Sequence, residues 1–244
     1  GIKLTGPNTT SNVIAGNHVG VDITASAVLG NQRGIVLGVG ADNNLIGTNA
    51  DGMSDFVERN IIGGNAGEGI SISGTSNQVS GNFIGTDTSG SADLGNGSPG
   101  ISITDNTVNN TIGGSSQKAN TIAFNKNAGV VVAGMNTDSV LITYNSIHSN
   151  DRTGICLEPP APTGPFYNPN DPGDLDSGPN DLMNYPELTY ASTIATSVAI
   201  SGEILDGLSN TQFEIQFFSN AACDTPSEHG EGKKYLGSST QRTD

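Results

Sequence analysis

Carboxylates and their amides are the side chains with the numbers and spacing to do chemistry in this chain. Asp and Glu total 24 against nine Lys and Arg, a formal charge of -15 over 244 residues. Two stretches between apolar phrases concentrate the acid: "TNADGMSDFVERN", with Asp51, Asp55 and Glu58, and "TDTSGSADLGN", with Asp87 and Asp93. Loops on a rigid scaffold are where binding and catalytic groups gather. Two carboxylates about 5–9.5 Å apart are what glycosidic bond cleavage requires. Asp51, Asp55, Asp87 and Asp93 are therefore the catalytic candidates if the chain is an enzyme; solvated turns are the competing reading. A third stretch, "NPNDPGDLDSGPND", places Asn170, Asp171, Asp174, Asp176, Asn180 and Asp181 around Gly173 and Gly178. Calcium takes six to eight oxygen ligands from such flexible loops. No Glu closes a twelve-residue EF-hand loop, so two readings stand: a Ca2+ site, or an Asx-rich turn held by its own backbone.

Other chemistry is scarce. His18 and His148 stand among Asn and Ser and read as surface residues, with Arg152 the nearest tempting partner of His148. No Gly-x-Ser-x-Gly elbow and no Cys/His zinc spacing occurs. Cys156 and Cys223 define no disulfide framework and either pair or remain free. The acidic balance argues against nucleic acid, whose phosphates need clustered Lys and Arg. No apolar run approaches the ~18 residues of a membrane-spanning helix. Gly1 begins inside the repeat pattern with neither Met nor a signal sequence, as expected of a mature or excised fragment. The acidic, polar composition suits an extracellular or cell-surface protein.

The elements that must position these groups are written as repeats. A short phrase returns seven times: "GIKL" at Gly1, "GVDI" at Gly20, "GIVL" at Gly34, "GISI" at Gly69 and Gly100, "GVVV" at Gly129 and "GICL" at Gly154. A second phrase, Asn-x-(Ile/Val)-x-x-Asn and its relatives, falls between them. Apolar residues alternate over three to five positions and helical spacing is hard to find, so the elements are short strands. With 34 Gly, about twice the usual share of roughly 7%, the corners are tight. Such strands cannot bury their inward side chains alone, and stacking builds a continuous core. The expected fold is all-β: a right-handed parallel β-helix, or solenoid, over residues 1–158. A Pro- and Asp-rich boundary with the possible calcium loop follows at 159–187, and a partial antiparallel β-sandwich or capping segment at 188–244. In that last part the strands expected are "SVAISGEI", "QFEIQFFSN" and "KKYLGSSTQ".

In such a solenoid, Asn12, Asn60, Asn77, Asn109 and Asn120 are expected to stack as a structural amide ladder. The residue between the apolar positions of each Gly phrase points outward. That column reads Lys3, Asp22, Val36, Ser71, Ser102, Val131 and Cys156, with one carboxylate and no aromatic platform. Val36 and Val131 would suit an interface with the C-terminal segment or another subunit.

The phrases "NFIGTDTSGSADLGN" and "NTIGGSSQKANTIAFN" resemble those of repeat-rich bacterial secreted and surface proteins that fold as right-handed parallel β-helices. From Asn168 onward, Asn-Asp-x-x-Asp-x-Asp-x-Gly-Pro-Asn, a Tyr-Pro and a Phe-Phe strand resemble the β-sandwich segment that follows such repeats. The resemblance implies a fold more than an activity. Polysaccharide lyases and hydrolases also use this fold, but the Asp pairs with Gly-His-Gly of polygalacturonases and the Arg cluster of pectate lyases are absent. The leading expectation is a non-catalytic extracellular structural or adhesive module. The alternatives are a polysaccharide lyase or glycoside hydrolase, or a carbohydrate-binding module, which 5% aromatics and no Trp disfavour. The partners it admits are polysaccharide, another surface protein or a second copy.

Overall fold

A computed structural model describes residues 1–158, 168–204, 210–223 and 230–243. The Pro-rich start of the expected boundary, 159–167, lies outside the described residues. Among the described residues the chain is all-β, apart from a one-turn α-helix at Asp55–Glu58 and two short 3-10 turns at Ser116–Lys118 and Pro179–Leu182. Among the described residues no helix is long and apolar enough to cross a membrane.

Residues 2–158 form three parallel sheets visited in rotation. Sheet A stacks Ile2–Leu4, Ile35–Leu37, Ile70–Ile72, Ile101–Ile103, Val130–Ala133 and Ile155–Glu158. Sheet B stacks Val13–Ile14, Leu45–Gly47, Gln78–Ser80, Thr111–Gly113 and Leu141–Thr143. Sheet C stacks His18–Val19, Ile61–Ile62, Phe83–Ile84, Thr121–Ala123 and Ser146–His148. Each circuit of the chain thus adds one strand to every sheet, an arrangement compatible with a β-helix-like solenoid. Circuits add branched side chains in a constant recipe, two from sheet A and one each from B and C. Ile70, Ile72, Val79 and Ile84 make one such layer and Ile101, Ile103, Ile112 and Ile122 the next, all fully buried.

Six of the seven Gly phrases form sheet A, and in-register pairing aligns Lys3, Val36, Ser71, Ser102, Val131 and Cys156 in one column. "GVDI" is the exception. Val21 bridges Val28 in antiparallel fashion, and Asp22 lies in the loop between them rather than on sheet A. The same geometry recurs at "GTDTSGSADLGN", where Thr86 bridges Asp93. Residues 20–31 and 85–96 are therefore copies of one loop leaving sheet C, and the shared Asp, the small polar residues and the Leu-Gly-Asn ending are the signal. Val21, Ala25, Ile61 and Leu94, with Phe83 against them, form a second small core beneath these two loops.

Asn side chains join the circuits at all three corners. Before sheet B the ladder runs Asn12, Asn44, Asn77, Asn110. Before sheet C it runs Asn17, Asn60, Asn82, Asn120, Asn145. Before sheet A it runs Asn31, Asn65, Asn96, Asn125, Asn150. The expected single ladder is thus divided, with Asn12 and Asn77 at one corner and Asn60 and Asn120 at another. Asn109 is not a rung: it is exposed at φ 61°, and its neighbour Asn110 accepts from the Asn77 N–H at 2.9 Å. A residue on the turn needs the left-handed conformation that Asn tolerates, and the next position faces the stack.

Among its described residues the C-terminal segment holds four strands, where three were expected. Glu187–Ile194 pairs with Ser197–Glu203, and Gln212–Ser219 pairs with Lys234–Arg242, as two antiparallel hairpins. Glu187–Ile194 is the added strand, and nearly every residue of it is exposed.

Each corner Asn Oδ1 typically accepts two donors from the circuit before it. Asn82 accepts from the Asn60 N–H and Nδ2, while its own Nδ2 donates to the carbonyls of Ile46 and Ser80. A buried polar atom left without its partner costs about 1–3 kcal/mol. Asn82→Ala is therefore expected to lower stability in denaturant unfolding by about 3 kcal/mol or more, and Asn12→Ala, at an exposed rung, by less than about 1 kcal/mol. Equal costs would remove the ladders from their structural role.

Candidate functional site

The loop carboxylates are turned onto their own backbones. Asp87 Oδ1 accepts from the Ser89 hydroxyl at 2.7 Å and from the N–H groups of Ser91 and Ala92 at 3.1 Å each. Asp22 does the same with Thr24, Ser26 and Ala27. The Asp87 carboxyl sits below the usual carboxylate range: slight burial opposes the shift, and the Ser89 hydroxyl with the backbone N–H groups outweighs it. For Asp22 the Ser26 N–H and the Thr24 hydroxyl lead the same lowering. Asp93 accepts from the Gly95 N–H. Asp51 accepts from Asn49 Nδ2 and the Met53 N–H, and Asp55 from the Thr48 hydroxyl and the Gly52 N–H. These are side chains that shape turns. A general acid is usually tuned upward by burial or by a second carboxylate.

The expected calcium residues separate into two groups. Asp171, Asp174 and Asp176 each offer a carboxylate oxygen, and these atoms lie within 4.8 Å of one another. Among the described residues this is the one gathering of three or more His, Cys, Asp or Glu side chains suited to a metal. Asn170 is used instead to tie the chain to Tyr185, accepting from its N–H at 2.9 Å and donating to its carbonyl at 2.9 Å. Asn180 reaches the final circuit, where its amide bonds both the N–H and the carbonyl of Val140 at 2.9 and 2.8 Å. Asp181 is exposed on the 3-10 turn at φ 54°.

Asn180 belongs to a set of contacts closing the end of the sheets. Val140 stands where the sheet-B ladder would have its next Asn, and Asn180 accepts from the Val140 N–H as the rung of a following circuit would. Glu231 does this for the sheet-A ladder: its carboxylate accepts from the Asn150 N–H and, at 2.9 Å, from Asn150 Nδ2. Gln216 accepts from the Tyr144 N–H, Gly232 from the Ile147 N–H, and Lys233 from the Ser146 hydroxyl. None of these five residues was singled out from sequence as a cap. Their partners lie between 40 and 87 positions away, beyond any local pattern.

A cleft of 530 Å3 remains between this end and the C-terminal strands, lined by apolar residues including Ile147, Leu157, Met183, Phe213 and Phe218. Tyr235 packs beside it against Tyr144, tilted at 5.0 Å between ring centroids, and edge-on to Phe218 at 5.5 Å. Two carboxylates, Glu214 and Glu231, are in its lining, the second already engaged by Asn150, and neither His18 nor His148 reaches it.

His148 corrects the surface reading. It is buried, edge-on to Phe124 at 5.9 Å, because its strand is covered by the 231–233 segment. Burial, then the nearby Lys233 ammonium, holds its pKa below the ordinary value. The fold therefore prefers the neutral ring. As pH falls below about 6.5 the unfolded chain takes up the proton first, so stability drops on the acid side. His148→Gln is expected to shrink the stability loss between about pH 7 and pH 5.5; an unchanged loss would remove this role from His148.

Both cysteines are free thiols. Burial pushes the Cys156 thiol up to about 11, with Glu158 reinforcing the shift and Arg152 opposing it. Since the thiolate is the nucleophile, native protein at pH 7.5 should alkylate at exposed Cys223 and react at Cys156 at least about tenfold more slowly. Equal rates by peptide mass mapping would contradict this arrangement. Compared with protein-family models, curated proteins and solved structures, the chain matches none.

Proposed function

We propose that the chain is a non-catalytic structural module, a right-handed parallel β-helix that acts as a stiff spacer or adhesive stalk in a secreted or cell-surface protein. The observation that carries this reading is how the polar side chains are used. The corner amides are spent on stacking circuits, and the loop acids on shaping their own turns. The outward column of sheet A contains no carboxylate. Its net charge of -15 favours solubility at a surface and repels polyanions. The phrases shared with repeat-rich bacterial surface proteins point the same way. Polysaccharide, another surface protein or a second copy are the partners in keeping with it.

The reading excludes turnover of glycans. Incubating the protein with a panel of neutral and acidic polysaccharides, with and without millimolar calcium, should release no reducing ends. Release that vanishes in Asp51→Asn, Asp55→Asn, Asp87→Asn or Asp93→Asn would replace the scaffold reading with a polysaccharide lyase or hydrolase and locate its site in the long loops.

A further inference from the structure

Asp171 and Asp176 each bury one carboxylate oxygen, Oδ1, that has no hydrogen-bond partner among the described residues. A native fold rarely leaves such an atom orphaned, and a bound cation is the partner that suits a carboxylate oxygen. Their other oxygens are engaged. Asp171 Oδ2 accepts from the Leu175 N–H at 3.0 Å, and Asp176 Oδ2 from Asn168 Nδ2 at 2.8 Å. Asp174 Oδ1 accepts from the Asn184 N–H at 3.2 Å. Hydrogen bonds thus hold the three carboxylates in place and leave two oxygens enclosed and unpaired within one cluster.

We propose that Asp171, Asp174 and Asp176 hold one calcium ion, which locks the C-terminal segment onto the final circuit. The donor set is hard oxygen alone, which selects Ca2+ or Mg2+ over thiol- and imidazole-seeking metals. Calcium bonds of 2.3–2.6 Å bridge oxygens up to about 5 Å apart, which covers the 4.8 Å limit of this cluster. Backbone carbonyls and water complete the shell.

The site is tied to the cap through its hydrogen bonds. Asn168, on Asp176, also donates to the carbonyl of Leu182 at 3.1 Å. Asn184, on Asp174, also bonds the backbone of Asp171 in both directions. Between these anchors lies the turn Pro179–Leu182, whose Pro179 and Leu182 are buried and whose Asn180 caps the backbone of Val140. Fixing the carboxylates therefore fixes the turn that presents Asn180.

Calorimetric titration of the chelator-treated 244-residue chain with CaCl2 should give one site with a dissociation constant of about 10⁻⁵–10⁻³ M, with weaker or no binding of MgCl2. Hydrogen exchange at the Val140 amide should slow about tenfold or more when calcium saturates the site. Asp171→Asn and Asp176→Asn, close to isosteric, should each weaken binding about tenfold or more while retaining the native circular dichroism spectrum. Asp93→Asn should leave binding unchanged. Absence of binding at 5 mM calcium in the native protein would overturn the proposal, as would binding that survives the Asp171→Asn/Asp176→Asn double variant. Binding without any change at Val140 would overturn the lock. The polysaccharide assay is independent of all these outcomes.

Discussion

The stacked carboxamide is the interaction on which the rest of this structure depends. A corner Asn cannot expose its amide to water, because the next circuit covers it, and cannot leave it unpaired without a penalty comparable to a large part of a domain's stability. The solution is repetition. One Oδ1 accepts two donors from the circuit before, and Nδ2 continues to the next rung and to a backbone carbonyl. Asn60, Asn82, Asn120 and Asn125, each 0% exposed, are satisfied in this way. The ladder sets the circuits in register, and with them every apolar layer inside.

That register explains why glycine accompanies asparagine. The chain must turn within a few residues at each corner while a neighbouring circuit lies against it. Gly85, at φ 88°, would drive a Cβ into the carbonyl oxygen of Ala123 on the next strand of sheet C, so only glycine fits. The loops that leave these corners vary in length without disturbing the stack, and their acids close Asx-type turns.

A stack of open circuits has to end somewhere, and an unsatisfied end is an invitation to further strand pairing. Here the end is closed by substitutes for the next circuit. Asn180 and Glu231 supply acceptors at two corners, and the 232–233 backbone continues the bonding of sheet C. These contacts come from separate stretches, with Asp171–Asp176 placed just before one of them. The aromatic cluster of Tyr144, Tyr235 and Phe218 spans the junction, so the two parts are joined by apolar as well as polar contacts.

The repeat by itself determined much of this protein. Gly-Ile phrases marked sheet A, and the outward column from Lys3 to Cys156 followed from period-two alternation. Stacking amides were expected from the recurrence of Asn near apolar pairs. Local pattern also misled: "GVDI" has the apolar spacing of a sheet-A strand, yet the loop it shares with "GTDT" carries it elsewhere. Asn109 and Asn110 are indistinguishable in composition, and only the facing circuit decides which is the rung. The third ladder uses the closing Asn of the Asn-x-Ile-x-x-Asn phrase at Asn65, Asn125 and Asn150, and the Asn of Leu-Gly-Asn at Asn31 and Asn96, so the pattern marks these residues but not the corner at which each one stacks. The tertiary structure alone decided the burial of His148, the roles of Asn180, Gln216 and Glu231, and the narrowing of six oxygen-bearing residues to three. Those are contacts between distant segments, where hydrogen-bond geometry and desolvation act across the fold, whereas alternation and turn preference act between neighbours in the chain and are written in the sequence.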